Sequence, residues 1–495
     1  MRFRGWMAIT GAAFGLLASS APLAARPAAG PTVVGCSQAA DRVQITADAV
    51  LDPTCTYTGG FDITASDVTL DCNGALVQDA AAARIGIWIH APAADGQHDV
   101  TVTNCRVEGF LNNLRITRDG FGDFAPGHEY DTNTAAMRVT DSEFSGSRGV
   151  GIYIDAFVSD ATITGNDIHD TGSSGIYLET GSRANHIEGN SLVHDGYTEN
   201  GTQGQTFEVG GTTVWYWGTG REGIAIDGSY DNVIRGNHFE RNSLGGILLY
   251  KNCGENKDDP SWIPRRWAAR RNLIEGNDFT DERTGVWVGS RMGENTLPMD
   301  CSDPAYVDRP GVRVTLDRAP DNTIRTNTFD DVTYGIRVED DGTTIEGNRF
   351  TASTADHHPV IIGTPYRTDV LHQPVRGTVL RGNHAEVIGN DSPYRWVHGQ
   401  EQTTVSGNTA LGRPTGICEG RPPPRQLFVM VVAVAAALPD GSKPPTPDLT
   451  IHTLGALPSC QPKTSTTTTT TASTPAGPVA PPAATPVSGT ASYTG

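Results

Sequence analysis

"GIYLETGSRANHIEGN" runs from Gly175 to Asn190, and its outline returns as "GIAIDGSYDNVIRGN" at Gly223–Asn237 and "GIRVEDDGTTIEGN" at Gly335–Asn348. Each copy holds a glycine, alternating apolar residues, an acid, a polar turn and a closing Gly-Asn. In "GIYLE", Ile176 and Leu178 fall on one side while Tyr177 and Glu179 fall on the other, which is the period of a strand. A helix would need apolar residues three and four apart. The Asn-ended tripeptide recurs at Asn166, Asn190, Asn237, Asn277, Asn327, Asn348, Asn383 and Asn408. Its shortest spacings are 24 residues (Asn166 to Asn190) and 21 (Asn327 to Asn348), and the 47 from Asn190 to Asn237 leave room for an inserted loop. So small a unit cannot bury its apolar face alone and must stack on its neighbours.

Two short strands per unit are expected, in coils about 4.8 Å apart. Ile, Val and Leu would point inward, and Asn would stack from coil to coil at one turn. Over about Asp67 to Asn408 the sequence resembles the right-handed parallel β-helix proteins of the pectate-lyase-like superfamily. The resemblance implies an all-β, single-stranded solenoid. It does not select an activity, since that superfamily spans hydrolases, lyases, epimerases and adhesive spikes.

The ends read differently. "MRFRGWMAITGAAFGLLASSAPLAA" has the basic start, short apolar run and small-residue end of a secretory signal peptide, residues 1–25, with cleavage between Ala21 and Ala29. The solenoid with its caps is expected over 31–461, and 462–495, rich in Thr and Pro, reads as a disordered tail. Leu427–Leu438, "LFVMVVAVAAAL", is short for a membrane span and reads as a buried or capping strand. The eight cysteines fit an oxidising compartment. By order they would pair as Cys36–Cys55, Cys72–Cys105, Cys253–Cys301 and Cys418–Cys460. A net charge of −19 argues against nucleic acid and anionic membranes as partners. A secreted, periplasmic or cell-surface monomer acting on a polysaccharide is expected, with no membrane insertion.

Aligning the units on their "G-apolar-x-apolar-x" strand stacks residues into columns. One column reads Asp155, Glu179, Asp227, Tyr250, Gly289, Glu339, and the outward column before it reads Tyr153, Tyr177, Ala225, Leu248, Trp287, Arg337. Three acids in consecutive coils would form a vertical row facing water, where mutual repulsion raises one pKa. Adjacent rungs would hold carboxylates about 5 Å apart, the retaining-glycosidase separation, and alternate rungs about 9.6 Å, near the inverting limit. A glycoside hydrolase using Asp155, Glu179 and Asp227 is the leading reading, and it needs no cofactor. Tyr153, Tyr177, Tyr250 and Trp287 would offer ring faces to sugar.

"GGILLYKNCGEN" and "GVWVGSRMGEN" align too, bringing Lys251, Arg291, Glu255 and Glu294 to the same edge. This looks like some β-helix polysaccharide lyases. The likeness implies Lys251 as base on a uronate, Arg291 on its carboxylate, and Ca²⁺ on Asp155, Glu179 and Asp227. Such a lyase or C5-epimerase is the second reading, and a non-catalytic carbohydrate-binding surface protein is the third. The insertions Asp195–Arg221 and Lys251–Arg271 would wall the cleft with Trp215, Tyr216, Trp217, Trp262, Arg265, Arg266 and Trp267, and His194 would assist proton transfer.

Overall fold

The alternation read in a single repeat is realised as three strands per coil rather than two. In the computed structural model the coil after Gly175 uses Ile176–Leu178, His186–Glu188 and Ser191–Val193. The third strand follows the Gly-Asn turn with a lone inward apolar residue, Leu192, which is too brief for a period-two signal. Described residues run from 30 to 419, apart from 92–95, 133, 198–204, 210–211, 218–219, 252–262, 293–304, 306, 310–311, 365–366, 369–370, 391 and 397–402. Backbone alone is described for 205–209, 212–217, 307–309, 312, 314, 418–419 and 433–436. The expected signal segment and tail lie outside the described residues, as do Cys253, Cys301 and Cys460, and the side chain of Cys418 is not described. Cys36–Cys55 and Cys72–Cys105 are bonded as expected.

Repetition of this coil builds three parallel 13-stranded sheets. The first contains His186–Glu188, the second Ser191–Val193 and the third Ile176–Leu178, each pairing with its counterpart one coil away. The interior is a set of ladders. Ile163, Ile187, Ile234, Ile274, Ile324 and Ile345 come from the first sheet, and Ile154, Leu178, Ile226, Leu249, Val288 and Val338 from the third. The second sheet adds Phe239, Phe279, Phe329 and Phe350, stacked at 4.7, 4.7 and 4.8 Å between ring centroids.

Those rings explain the opening glycine of the later repeats. A Cβ on Gly285 would lie 2.4 Å from Phe329, and one on Gly335 2.6 Å from Phe350. The Gly of Gly-Asn has a different cause: Gly189, Gly236, Gly276 and Gly347 take φ near +64° at the turn between first and second sheets. The asparagine that follows is a buried coupler. The Asn190 N–H and Nδ2 both donate to Asn237 Oδ1 at 2.9 Å, while Nδ2 also reaches the Ile163 carbonyl at 2.8 Å. The same pattern runs from Asn166 to Asn408. A second ladder, Asn185–Asn232–Asn272–Asn322, crosses the turn between third and first sheets. The residue before Gly-Asn alternates in sign, and register sets Glu188, Arg235, Glu275, Arg325, Glu346 and Arg381 side by side on the first sheet's outer face.

At the turn between second and third sheets the ladder departs from asparagine. The Thr171 N–H and hydroxyl donate to Asp195 Oδ1, the Asp195 N–H donates to Asn242, and Asn242 donates to Glu282. Asp195 Oδ2 and Glu282 Oε2 are buried with no hydrogen-bond partner among the described residues. Burial pushes Asp195 up to about 8 and Glu282 well above the carboxylate range. Leu427–Leu438 is described only where Ala433–Ala436 pairs antiparallel with Thr212–Trp217. Among the described residues no helix is long and apolar enough to cross a membrane.

Gly285→Ala is expected to cost about 1–3 kcal/mol in a denaturant titration, because the Phe stack has no slack for the methyl group. Folded Asp195 keeps a proton that the unfolded chain releases near its ordinary 3.8. Its stabilisation is therefore complete below that pH and is lost as pH rises toward about 8, by up to about 1.4 kcal/mol per unit. Asp195→Asn should accordingly flatten the fall in stability between pH 4 and 8 and raise the melting temperature at pH 8.

Candidate active site

On the outer face of the third sheet, Tyr153 pairs with Tyr177, Tyr177 with Ala225, Leu248 with Trp287 and Trp287 with Arg337. Asp227 pairs with Tyr250. Asp155 and Glu179 each follow residues paired with one another, Ile154 and Leu178. The three acids thus share one column on consecutive rungs. Their expected exposure is corrected: Asp155, Glu179 and Asp227 are 1, 9 and 0% exposed. Like charges on adjacent strands cannot be sealed without counter-charges, and the structure supplies them.

Arg115 grips Asp155 with two hydrogen bonds of 2.7 Å, and Thr117 donates to the same carboxylate at 2.6 Å. Arg265, from the inserted segment, bonds Glu179 and lies 3.8 Å from Asp227 Oδ2. The Tyr153 hydroxyl donates to Glu179 at 2.6 Å and the Tyr177 hydroxyl to Asp227 at 2.8 Å. The two rings stack, with centroids 5.0 Å apart. Burial alone would raise Glu179. Arg265, the Tyr153 hydroxyl and the Thr180 N–H outweigh it and hold the carboxyl below its usual range. Burial, then the neighbouring acids, keeps the Tyr153 and Tyr177 phenols far above theirs.

The aromatic wall expected here is mostly sealed. Tyr177, Tyr250 and Trp287 pack with Val150, Leu244 and Leu248 in a buried cluster, and Tyr153 is partly exposed at its margin. Tyr250 donates to Glu222 at 3.0 Å and carries the Arg291 guanidinium 4.4 Å above its ring. Trp287 lies under Arg337 at 3.5 Å and shares Glu339 with it. These rings hold cations and carboxylates instead of presenting faces to sugar. Trp267 packs edge-on to Phe157 in a separate cluster, because its segment crosses the coil edge there. Arg266 is exposed. Trp262, Glu255 and Glu294 lie outside the described residues, and of Trp215 and Trp217 only the backbone is described. His194 is away from the row, beside the second sheet, bonded to Asp170 at 2.7 Å and stacked on Tyr197.

Lys251 and Arg291 are both buried, and Asp317 joins them by accepting from their backbone N–H groups at 2.6 and 2.8 Å. Burial pushes Asp317 up to about 7. Arg115, Thr117 and Asp317 are absent from the expected site, and Arg265, expected as a cleft wall, is instead the counter-charge of the acid row. "NNLRITR" at Asn112–Arg118 carries the same alternation and would have extended the columns upward to Arg115 and Thr117. Arg265 and Asp317 sit in insertions with no periodic signal.

The acids do not suit calcium, since each already accepts from a guanidinium or a phenol. Among the described residues, metal-capable groups form at Cys36–Asp52–Cys55, whose cysteines are a disulfide, and at exposed Asp67–His98–Asp99.

The sequence pattern described as "Right handed beta helix region" matches residues 59–214, and that of "Periplasmic copper-binding protein (NosD)" matches 265–418. With three sheets wound in coils, the chain has the right-handed parallel β-helix fold. For copper, no three His, Cys, Asp or Glu ligands gather among the described residues of 265–418. The Azotobacter vinelandii mannuronan C-5 epimerase A-module is similar at 14% identity and TM-score 0.43, over 74% of this chain and 91% of that one. The Dettilon tailspike protein is similar at 13% and 0.46, over 73% and 60%. The catalytic domain of a GH87 α-1,3-glucanase is similar at 12% and 0.36, over 77% and 63%. No curated protein matches the sequence.

Arg265→Met leaves two buried carboxylates without their shared cation. A loss of about 3–5 kcal/mol is expected in chemical denaturation, while Arg266→Met, changed at the exposed neighbour, should leave the midpoint in place.

Proposed function

We propose that this is a secreted carbohydrate-active enzyme cleaving glycosidic bonds of an extracellular polysaccharide on the outer face of the third sheet. Export is supported by the signal-peptide layout and by two disulfides. The reading is carried by Glu179 and Asp227, carboxylates on adjacent rungs contacted by one guanidinium nitrogen. Rung spacing of about 4.8 Å is close to the ~5 Å of a retaining pair.

Glu179 is kept ionised and is the least buried of the three acids, so it takes the nucleophile's part. Asp227 is the partner that protonates the leaving oxygen and then activates water. Tyr153 and Tyr177 orient the two carboxylates through their hydroxyls. Asp155, locked by Arg115 and Thr117, fixes the rung above. A second reading, elimination or C5-epimerisation on a uronate polymer with Lys251 as base and Arg291 on the carboxylate, is favoured by Asp317 drawing those two residues together.

Reducing ends should appear without ultraviolet-absorbing unsaturated products when the protein is given a panel of neutral and acidic polysaccharides. Glu179→Gln should lower kcat about 10³-fold, with Lys251→Ala close to the parent. Unsaturated products abolished by Lys251→Ala would transfer the assignment to the lyase, and retention of glycan with no product would make the protein a binding module. Because Glu179 stays ionised below its ordinary 4.5, the acidic limb of kcat/KM should fall only under that pH.

A further inference from the structure

The outer face of the third sheet opens toward the N-terminal rungs. In the column that later passes through sealed Leu248 and Trp287, the earlier residues Asp62, Trp88, Arg115 and Tyr153 are all partly exposed and neighbours by register. Trp88 and His90, two residues apart on Ile85–Ala91, point the same way and stack with centroids 3.8 Å apart and planes 14° from parallel. Both rings are pinned. The Trp88 indole N–H donates to Thr117 at 2.8 Å, and His90 Nδ1 meets Asp119 Oδ2 at 2.9 Å. His90 Nε2 has no hydrogen bond among the described residues. The side chains of His90, Arg115 and Asp119 are 19, 25 and 30% exposed.

Resting on the reading above, we infer that Trp88 and His90 form a distal subsite for a neutral pyranose unit of the polysaccharide. The fixed ring pair offers an apolar platform for sugar C–H groups, and immobilised rings lose little entropy on binding. Asp62, paired with Arg42 at 2.7 Å, and Asp119, bonded to His90, flank it as hydroxyl acceptors. Thr117 ties the platform to the acid row, since it accepts from Trp88 and donates to Asp155. His90, Thr117, Asp155 and Glu179 occupy successive rungs, which places the platform about 14 Å from Glu179. A chain lying along the solenoid axis over Arg115 and Tyr153 spans both, so the enzyme reads several units upstream of the bond it breaks.

The test is calorimetry with neutral oligosaccharides of increasing length, beside turnover of the same series. Affinity should step up once the chain reaches the platform. Trp88→Ala should then weaken long oligosaccharides about five- to tenfold and raise their KM more than that of short ones. Trp88→Phe, which keeps a ring, should restore most of the affinity, and Asp119→Asn should weaken binding by freeing His90. Turnover with equal affinities for parent and Trp88→Ala at every length overturns the subsite while the enzymatic reading stands. Length-dependent binding lost in Trp88→Ala without any turnover keeps the subsite and removes the enzyme. Binding confined to uronate oligomers overturns the assignment to a neutral sugar.

Discussion

An asparagine amide that accepts from one coil and donates to the next fixes how far each coil rotates about the axis. In the ladder from Asn166 to Asn408 every step is a buried hydrogen bond near 3.0 Å. A slip of one residue would leave several amides unpaired in the interior, at about 1–3 kcal/mol each. It would also turn every inward Ile and Phe outward. Register is therefore held twice, by polar pairing at the turns and by ring and branched-chain stacking between them. This rigidity is what lets residues dozens of positions apart act as neighbours.

Perfect register makes each column repeat its own charge, and the molecule deals with this in three ways. On the first sheet the signs alternate, Glu188 against Arg235 against Glu275, so that each exposed acid meets a guanidinium. At the turn between second and third sheets, burial instead favours the protonated form of Asp195 and Glu282 within a ladder they share with Thr171 and Asn242. On the third sheet three acids stack without alternation, and cations come from elsewhere, Arg115 from the adjoining rung and Arg265 from an insertion. The first two arrangements preserve the scaffold. The third concentrates ionised carboxyl, phenol and guanidinium in one place.

How much was legible follows from the same distinction. The solenoid, its inward ladders and the column holding Asp155, Glu179 and Asp227 are periodic, and period survives in a single sequence. The third strand escaped because Leu192 is its one inward apolar residue, and three residues carry no period. Exposure of the acid row escaped because it depends on what covers it. Arg265 belongs to an insertion whose conformation no repeat dictates, and the rings of Tyr250 and Trp287 are sealed by the cations they hold. The sequence pattern placed side chains relative to one another along the axis; it carried no information on which stayed in contact with water.

Water contact, in turn, gives the face a direction. Running from Asp62 through Trp88, Arg115 and Tyr153 to Tyr177, Ala225 and Leu248, the outward column passes from partly exposed to fully buried. Glu179 stands where that change occurs, accepting from the Tyr153 hydroxyl on one oxygen and from Arg265 on the other. A ligand approaching from the N-terminal side meets rings and hydrogen-bonding groups before it meets the acid row. From the opposite side it meets the buried cluster around Trp287.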